Sequence, residues 1–422
     1  MSTEVQTPKG PTSSLSENLS TIERVAFRVA IGGGVLLLLG LLFDREHAFQ
    51  AYLTSYLYWL GPALGSMAIV MLHNMVGGRW GFAIHRLLEA GMRTLPWMAL
   101  LFLPLGISTL LGWHSLYPWA DPEIVADDAI IQKKVAYLNV PFFLVRAVLY
   151  FALWLGFSRW LLSLADRYDH TFSVKALRRI KTVSGIGLGL YVLSISFASF
   201  DWGMSTEPHW FSTIYGIHYL VGQGLTTFAF AIVVASRLAR HEPFSRWYKV
   251  GQFHDLGNLL MAFTMLWAYV SFSQFLIIWS GNLPEETPYY LRRLGHGWQA
   301  LALFLVIAHF AVPFLVLLQR RVKTNSKTLA KVAMGILIVR YLDYFWVIKP
   351  AFQAHGAGDG HGYPHFSVSW LDVVTPIALG GLWVGLFVKN LRGRPLVSLQ
   401  DGRLLQELEA PASGDEAPAG SH

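Results

Sequence analysis

The sequence predicts an all-α polytopic membrane protein with ten transmembrane helices and both termini on the cytoplasmic side. Three observations carry this. Of 422 residues, 54% are hydrophobic and only 14% charged, against about 25% charged in a soluble domain, so too few charges exist to cover a soluble exterior. Ten stretches are apolar over about the 20 residues that a helix needs to cross the hydrocarbon. The basic residues also sort by connection: 25 of the 33 Lys and Arg fall in the N-terminal arm, the even-numbered connections and the C-terminal tail, and 6 in the odd-numbered connections. Positive charge marks the cytoplasmic face, which requires an even number of spans. Length alone would suit two or three soluble domains, but a mean hydropathy of +0.42 overrides that.

The spans are read at about 24–43, 49–75, 93–112, 137–160, 181–201, 210–236, 252–280, 296–318, 329–349 and 370–389. Before them, residues 1–23 read as a disordered cytoplasmic arm. Met1–Thr21 is polar and has no apolar region of its own, so the first span is expected to stay rather than be cleaved as a leader. Gly32–Gly34 in span one is a close-packing feature without the context of a nucleotide loop. Gly61–Pro62 in span two and Leu95–Pro96 in span three are candidate breaks. The transmembrane domain closes at 389, and 390–422 is mostly disordered tail, with a short surface helix read at Leu396–Leu408.

A charge near the bilayer centre costs several kcal/mol, so ionisable residues inside spans are candidate functional groups. Arg146 in span four needs a partner on another helix, and Asp201 or Asp343 would serve. Asp201 closes span five in SFASFDWGMSTEPHWFSTIYG and is followed by Glu207 and His209, with Trp202 and Trp210 fitting an interfacial aromatic belt. His218 lies in span six and His309 in span eight. His254, Asp255 and Asn258 open span seven, which also holds Gln274, and His73 with Asn74 ends span two. Arg340 and Asp343 in RYLDYFW are one helical turn apart, on one face, where they can pair.

These residues sort into an inner cluster (His73, His254, Asp255, Asn258, His309) and an outer one (Arg146, Asp201, Glu207, His218, Gln274, Asp343). Two polar half-paths that meet in mid-membrane suit a proton route, because His and carboxylates exchange protons near neutral pH. Asp201, His218 and Gln274 also suit a quinone headgroup. Each residue has a structural alternative as well: a buried His bonded for packing, or an Arg–Asp pair that holds helices together.

With no cysteines, the chain cannot hold an iron–sulfur cluster, a thiolate metal site or a c-type haem through its own thiols. His296 and His309 are thirteen residues apart, but no second span repeats that interval, and His85, twelve after His73, falls in a polar connection. No haem b is expected. HGAGDGHGYPH (His355–His365) is His-rich, but its glycines fix no coordination geometry. The net charge of +7 follows topology, so no nucleic-acid partner is expected. Asp121, Glu123, Asp127, Asp128, Glu285 and Glu286 make the opposite face acidic, either as solvating charge or as a docking face.

The segments FDWGMSTEPHWFSTIYG (Phe200–Gly216) and HDLGNLLMAFTMLWAYVSFSQFLIIWSGNLPEET (His254–Thr287) resemble the membrane subunits of alternative complex III, the bacterial quinol:electron-acceptor oxidoreductase that replaces the bc1 complex. GHGW (Gly295–Trp298), HFAVPFLVLLQR (His309–Arg320) and RYLDYFWVIKP (Arg340–Pro350) extend the likeness from span two to span nine. Of the two large membrane subunits, both NrfD-like and similar to the polysulfide-reductase type, the chain resembles the second. The resemblance implies four-helix bundles of spans two to five and six to nine, with the first and last spans outside.

It further implies a bacterial cytoplasmic membrane, no redox cofactor bound within the chain, and menaquinol or another quinone in the complex. The implied partners are an iron–sulfur/molybdopterin-like subunit, c-type haem subunits, a second NrfD-like subunit and the lipid bilayer. Quinol would be oxidised beside the first membrane subunit. The second would bind quinone or carry protons, entering at His254 and Asp255 and leaving at Asp201, Glu207 and His218. Two rivals stand beside this reading: a stand-alone secondary transporter and a structural scaffold with no chemistry of its own.

Overall fold

The computed structural model describes residues 13–113, 116–170, 174–241, 245, 248, 250–353 and 365–392. Among these there is no β-strand. The long elements are α1 (Ser13–Phe43), α2 (Arg45–Val76), α3 (Arg79–Met92), α4 (Leu95–Leu110), α5 (Val140–His170), α6 (Val174–Trp202), α7 (Ile214–Leu238) and α8 (Val250–Gly281). The short α9 (Thr287–Arg293) leads into α10 (Trp298–Leu318), α11 (Ser326–Gln353) and α12 (Leu371–Arg392). The chain is an all-α, multi-pass membrane protein.

Among the described residues, eight helices (α1, α2, α5, α6, α7, α8, α10 and α12) are long and apolar enough to cross a membrane, and α3 with α4 forms a further broken pair bent by 41°. Residues that water would reject, such as Leu42, Phe43 and Tyr269, point outward, as a lipid-facing surface requires. At 28 residues α11 is also long enough. Its Lys327, Lys331, Arg340, Asp343 and Lys349 keep it below the apolarity of a simple span.

Three boundaries differ from the sequence reading. Residues 13–23, read as part of a disordered arm, are helical. Leu15 and Leu19 are one turn apart and bury against the core, and this narrow stripe docks a segment that is polar elsewhere. Residues 79–92, read as a polar connection, form α3, with Ile84, Leu87, Leu88 and Met92 buried. That stripe is too short and too interrupted by Arg86 and Glu89 to register as a span. Of the two expected breaks, Pro62 sits inside a continuous α2, while the α3–α4 bend falls just before Leu95–Pro96. The Leu396–Leu408 helix and the tail lie outside the described residues.

The most buried helices are α2 and α7. One group closes through α2, α4, α5 and α6, and a second through α7, α8, α10 and α11. They meet where α7 packs on α2 and α6. Outside them α1 and α12 pair along their lengths, and α12 rests on α2 and α3. Small residues bring these two backbones together: a Cβ on Gly381 would lie 2.7 Å from the Ala26 carbonyl, and one on Gly33 2.6 Å from the Ala378 methyl.

Candidate functional site

The outer cluster read from sequence divides into three separate networks. In the first, Arg146 on α5 grips Asp201 at the end of α6 with two parallel bonds, Nε–Oδ2 and Nη2–Oδ1, both 2.8 Å. Tyr150 donates to Asp201 Oδ2 (2.8 Å), and Arg146 Nη1 donates to the Tyr137 carbonyl (2.9 Å). The guanidinium also lies 3.9 Å from the Tyr137 ring centroid. Of the two partners open to Arg146, the fold selects Asp201. Both charges are buried, and the bidentate fork saturates the carboxylate. Asp201 does not reach the cavity described below, so the structure does not support it as a quinone ligand.

The second network joins Glu207, in the turn after α6, to Arg293 at the end of α9. Arg293 Nη2 lies 2.8 Å from Glu207 Oε1, and Arg292 stands 3.9 Å from Oε2. Arg293 also donates to the carbonyls of Tyr289 and Val347 (3.0 and 2.6 Å). Sequence reasoning missed Arg293 because it falls in a connection beside Arg292, where a basic pair reads as solvated charge. Trp210 stacks on Tyr289 with centroids 3.8 Å apart. Trp202 and Trp210 are both buried, so they brace the core and do not form the expected interfacial belt. His209 ties this turn to the acidic loop through Asp128 Oδ2 (2.5 Å).

The third network lies midway along α8 and α11. Arg340 and Asp343, both on α11, form the expected pair. Trp267 Nε1 on α8 donates to Asp343 Oδ2 (3.2 Å), and His218 Nε2 on α7 lies 3.8 Å from the same oxygen. The His309 ring packs on Trp267 with centroids 4.0 Å apart, so His309 belongs here and not to the inner cluster. It is completely buried, and neither ring nitrogen has a hydrogen-bond partner among the described residues. Around it Pro313 cannot donate to the His309 carbonyl, and the helix widens into a π-turn over Val306–Ala311. Such turns are frequent at functional sites.

This network forms the polar end of a cavity of about 690 Å³ between α7, α8, α10 and α11. His218, Gln274, Ser271 and Asp343 supply its polar groups, while Tyr269, Phe272 and Val306 line it and are exposed on the lipid-facing side. Ser271 Oγ is buried without a hydrogen-bond partner among the described residues. The site is therefore apolar and aromatic with a few convergent polar groups, the usual make-up of a small-molecule pocket.

Room for Arg340 depends on Gly222 of α7, where a Cβ would overlap the guanidinium. Gly222→Ala should displace Arg340 from Asp343 and cost about 1–3 kcal/mol, the usual penalty of overpacking. An unchanged unfolding midpoint in detergent would count against this geometry.

The inner residues do not form one cluster either. His73 is bonded to the Gly78 carbonyl (3.1 Å) and surrounded by Trp80, Phe82 and His85. His85 and Arg86 pair with buried Glu89 at 3.3 and 2.7 Å. His254 and Asp255 stand apart from them, 3.8 Å from each other and about one-third exposed. Behind them Asn258 lies 3.4 Å from His254 Nδ1 and accepts from buried Lys323 (2.7 Å). Lys349 and Asp372 form a further buried pair (3.1 Å) that sequence reading did not single out. Of the His-rich loop only His365 is described, 4.9 Å from the His296 ring.

No protein-family model matches this chain, and no curated protein matches it.

Proposed function

We propose that this chain is the second NrfD-like membrane subunit of an alternative-complex-III-type quinol:acceptor oxidoreductase, and that the cavity at Asp343 takes a quinone headgroup and passes on its protons. The observation that carries the site is the lipid-facing cavity that ends on His218, Gln274 and Asp343. A hydrophobic substrate dissolved in the bilayer needs such a side entrance. The partnerless Ser271 hydroxyl and the His218 and Gln274 side chains are suited to a ring with two carbonyl oxygens. Assignment to the complex rests on the motif resemblance. The partners it implies are an iron–sulfur subunit, c-type haem subunits and a second NrfD-like subunit, in a bacterial cytoplasmic membrane.

Ten spans with cytoplasmic termini complete this reading. The eight apolar helices and the bent α3–α4 pair supply nine, and α11 supplies the tenth because its charges are neutralised within the protein, Arg340 by Asp343 and Lys349 by Asp372. The connections that carry most of the Lys and Arg then lie on one side.

When bound, a quinol would supply two protons to this chain's residues, with its two electrons passing to the iron–sulfur subunit that the resemblance implies. Asp343 is the group placed to take a proton, with His218 beside it at 3.8 Å. That gap is too long for a direct hydrogen bond, but a rotamer change or one water closes it. Asp201 and Glu207 serve as fixed ion pairs: neither lines the cavity, and Arg146 and Arg293 occupy their carboxylates. His254 and Asp255, partly exposed, form the entrance on the other face.

Equilibrium binding of a short-chain quinone analogue to the chain in nanodiscs tests the pocket. His218→Phe and Gln274→Leu should each weaken binding about tenfold, the worth of one hydrogen bond, and Asp201→Asn should not. Equal affinity in all four proteins would remove the pocket. Co-purification of iron–sulfur and c-haem subunits tests the complex separately.

A further inference from the structure

A second cavity, of about 940 Å³, lies on the other side of the molecule. It shares no lining residue with the cavity at Asp343. It exists because α1 and α12 pack on each other and on α2 and α3, but not extensively on α7 or α11. A groove is left between these two pairs of helices. Along α7, Phe230, Val233, Val234 and Arg237 follow helical spacing on one wall. On the other wall, Leu15, Asn18, Leu19 and Ile22 of α1 do the same.

The groove is apolar along its length and charged at its ends. At one end Arg237, Arg240 and His241 meet Asn18 and Thr21. The acid that lines it, Asp372, lies at the opposite end and is already paired with Lys349. No ion pair involves Arg237 or Arg240 among the described residues, and both are exposed. From Asp372 to Leu391 the α12 wall runs about 28 Å at 1.5 Å per residue, close to the hydrocarbon thickness of about 30 Å.

We infer that this groove holds an anionic phospholipid as a fixed part of the structure, its phosphate on Arg237 and Arg240 and its acyl chains between α1, α7, α11 and α12. Two guanidiniums next to an apolar trough match a phosphodiester joined to acyl chains, as basic pockets between transmembrane helices do for anionic headgroups. A helix from another protein would fill the apolar length but leave the basic end without a counter-charge. The lipid would also glue the α1–α12 pair to the α7–α11 wall, where direct helix packing is sparse.

Native mass spectrometry of the full chain, released from nanodiscs with equal phosphatidylglycerol and phosphatidylcholine, tests this. The expected result is one phosphatidylglycerol retained per chain in preference to phosphatidylcholine, with retention about thirtyfold lower in the Arg237→Gln/Arg240→Gln double variant. Equal retention of the two lipids by the unaltered chain would overturn the proposal whatever the variant does. So would a lipid-free chain found as a dimer, which would make the groove an interface between copies. Full phosphatidylglycerol retention by the double variant would also overturn it.

Discussion

Arg146→Ala lowers the unfolding free energy by about 3–5 kcal/mol, the loss expected when one member of a buried ion pair is removed and the other is left uncompensated. Asp201 is completely buried and Arg146 nearly so, and Asp201 has no second cation among its described partners. The stranded carboxylate, with Tyr150 still donating to it, cannot be rehydrated without opening the contact between α5 and α6. The double replacement Arg146→Met with Asp201→Leu should recover most of the loss, because well-packed apolar residues often replace a buried pair at little net cost. Denaturant unfolding of the chain in detergent measures both. A loss below about 1 kcal/mol, the value of an exposed pair, would show that water reaches this pair.

In a complex that still assembles, although Arg340 loses its counter-charge, Asp343→Asn should act on chemistry. Asn keeps the shape and still accepts from Trp267, but it cannot take up a proton, so proton release coupled to quinol oxidation should fall about a hundredfold, a typical loss for an acid–base group. The partner complex reconstituted in liposomes with an external pH indicator reads this directly. Asp343→Glu should restore part of the rate, and Asp201→Asn in a complex that still assembles should leave it unchanged. Unaltered proton release with Asp343→Asn would reduce the Arg340–Asp343 pair to a structural clasp.

Fold class is legible in this sequence because two physical signals are strong. Apolar stretches about as long as the bilayer is thick can hardly be anything but membrane helices, and basic residues concentrate in alternate connections. Pairing of buried charges is legible only where both partners share a helix. Arg340 and Asp343 are one turn apart, so helical spacing predicts their contact. Arg146 could only be left a choice of acids, since separation along the chain does not say which helices touch. Arg293 and Glu89 were missed for the complementary reason: both lie in segments polar enough to read as connections, and only tertiary packing buries them.

Depth along a span was similarly insufficient to group residues. Depth groups His309 with the inner histidines, yet its ring, within the π-turn before Pro313, packs on Trp267. His73 lies near the end of α2 and His254 near the start of α8, and each finds its bonds locally. Rotation about the helix axis, which no single-sequence count supplies, decides such groupings. Within the outer cluster it separates His218, Gln274 and Asp343, which share a cavity, from Asp201 and Glu207, which are saturated by arginines.

Photo-crosslinking tests the quinone pocket most directly. An azido-quinone irradiated with the purified complex and mapped by peptide sequencing should label this chain on α8 between Tyr269 and Phe275 and on α7 near Tyr215–His218, with labelling suppressed by excess unlabelled quinone. Labelling confined to the other membrane subunit, or on this chain only at the Arg146–Asp201 end of α5 and α6, would contradict it.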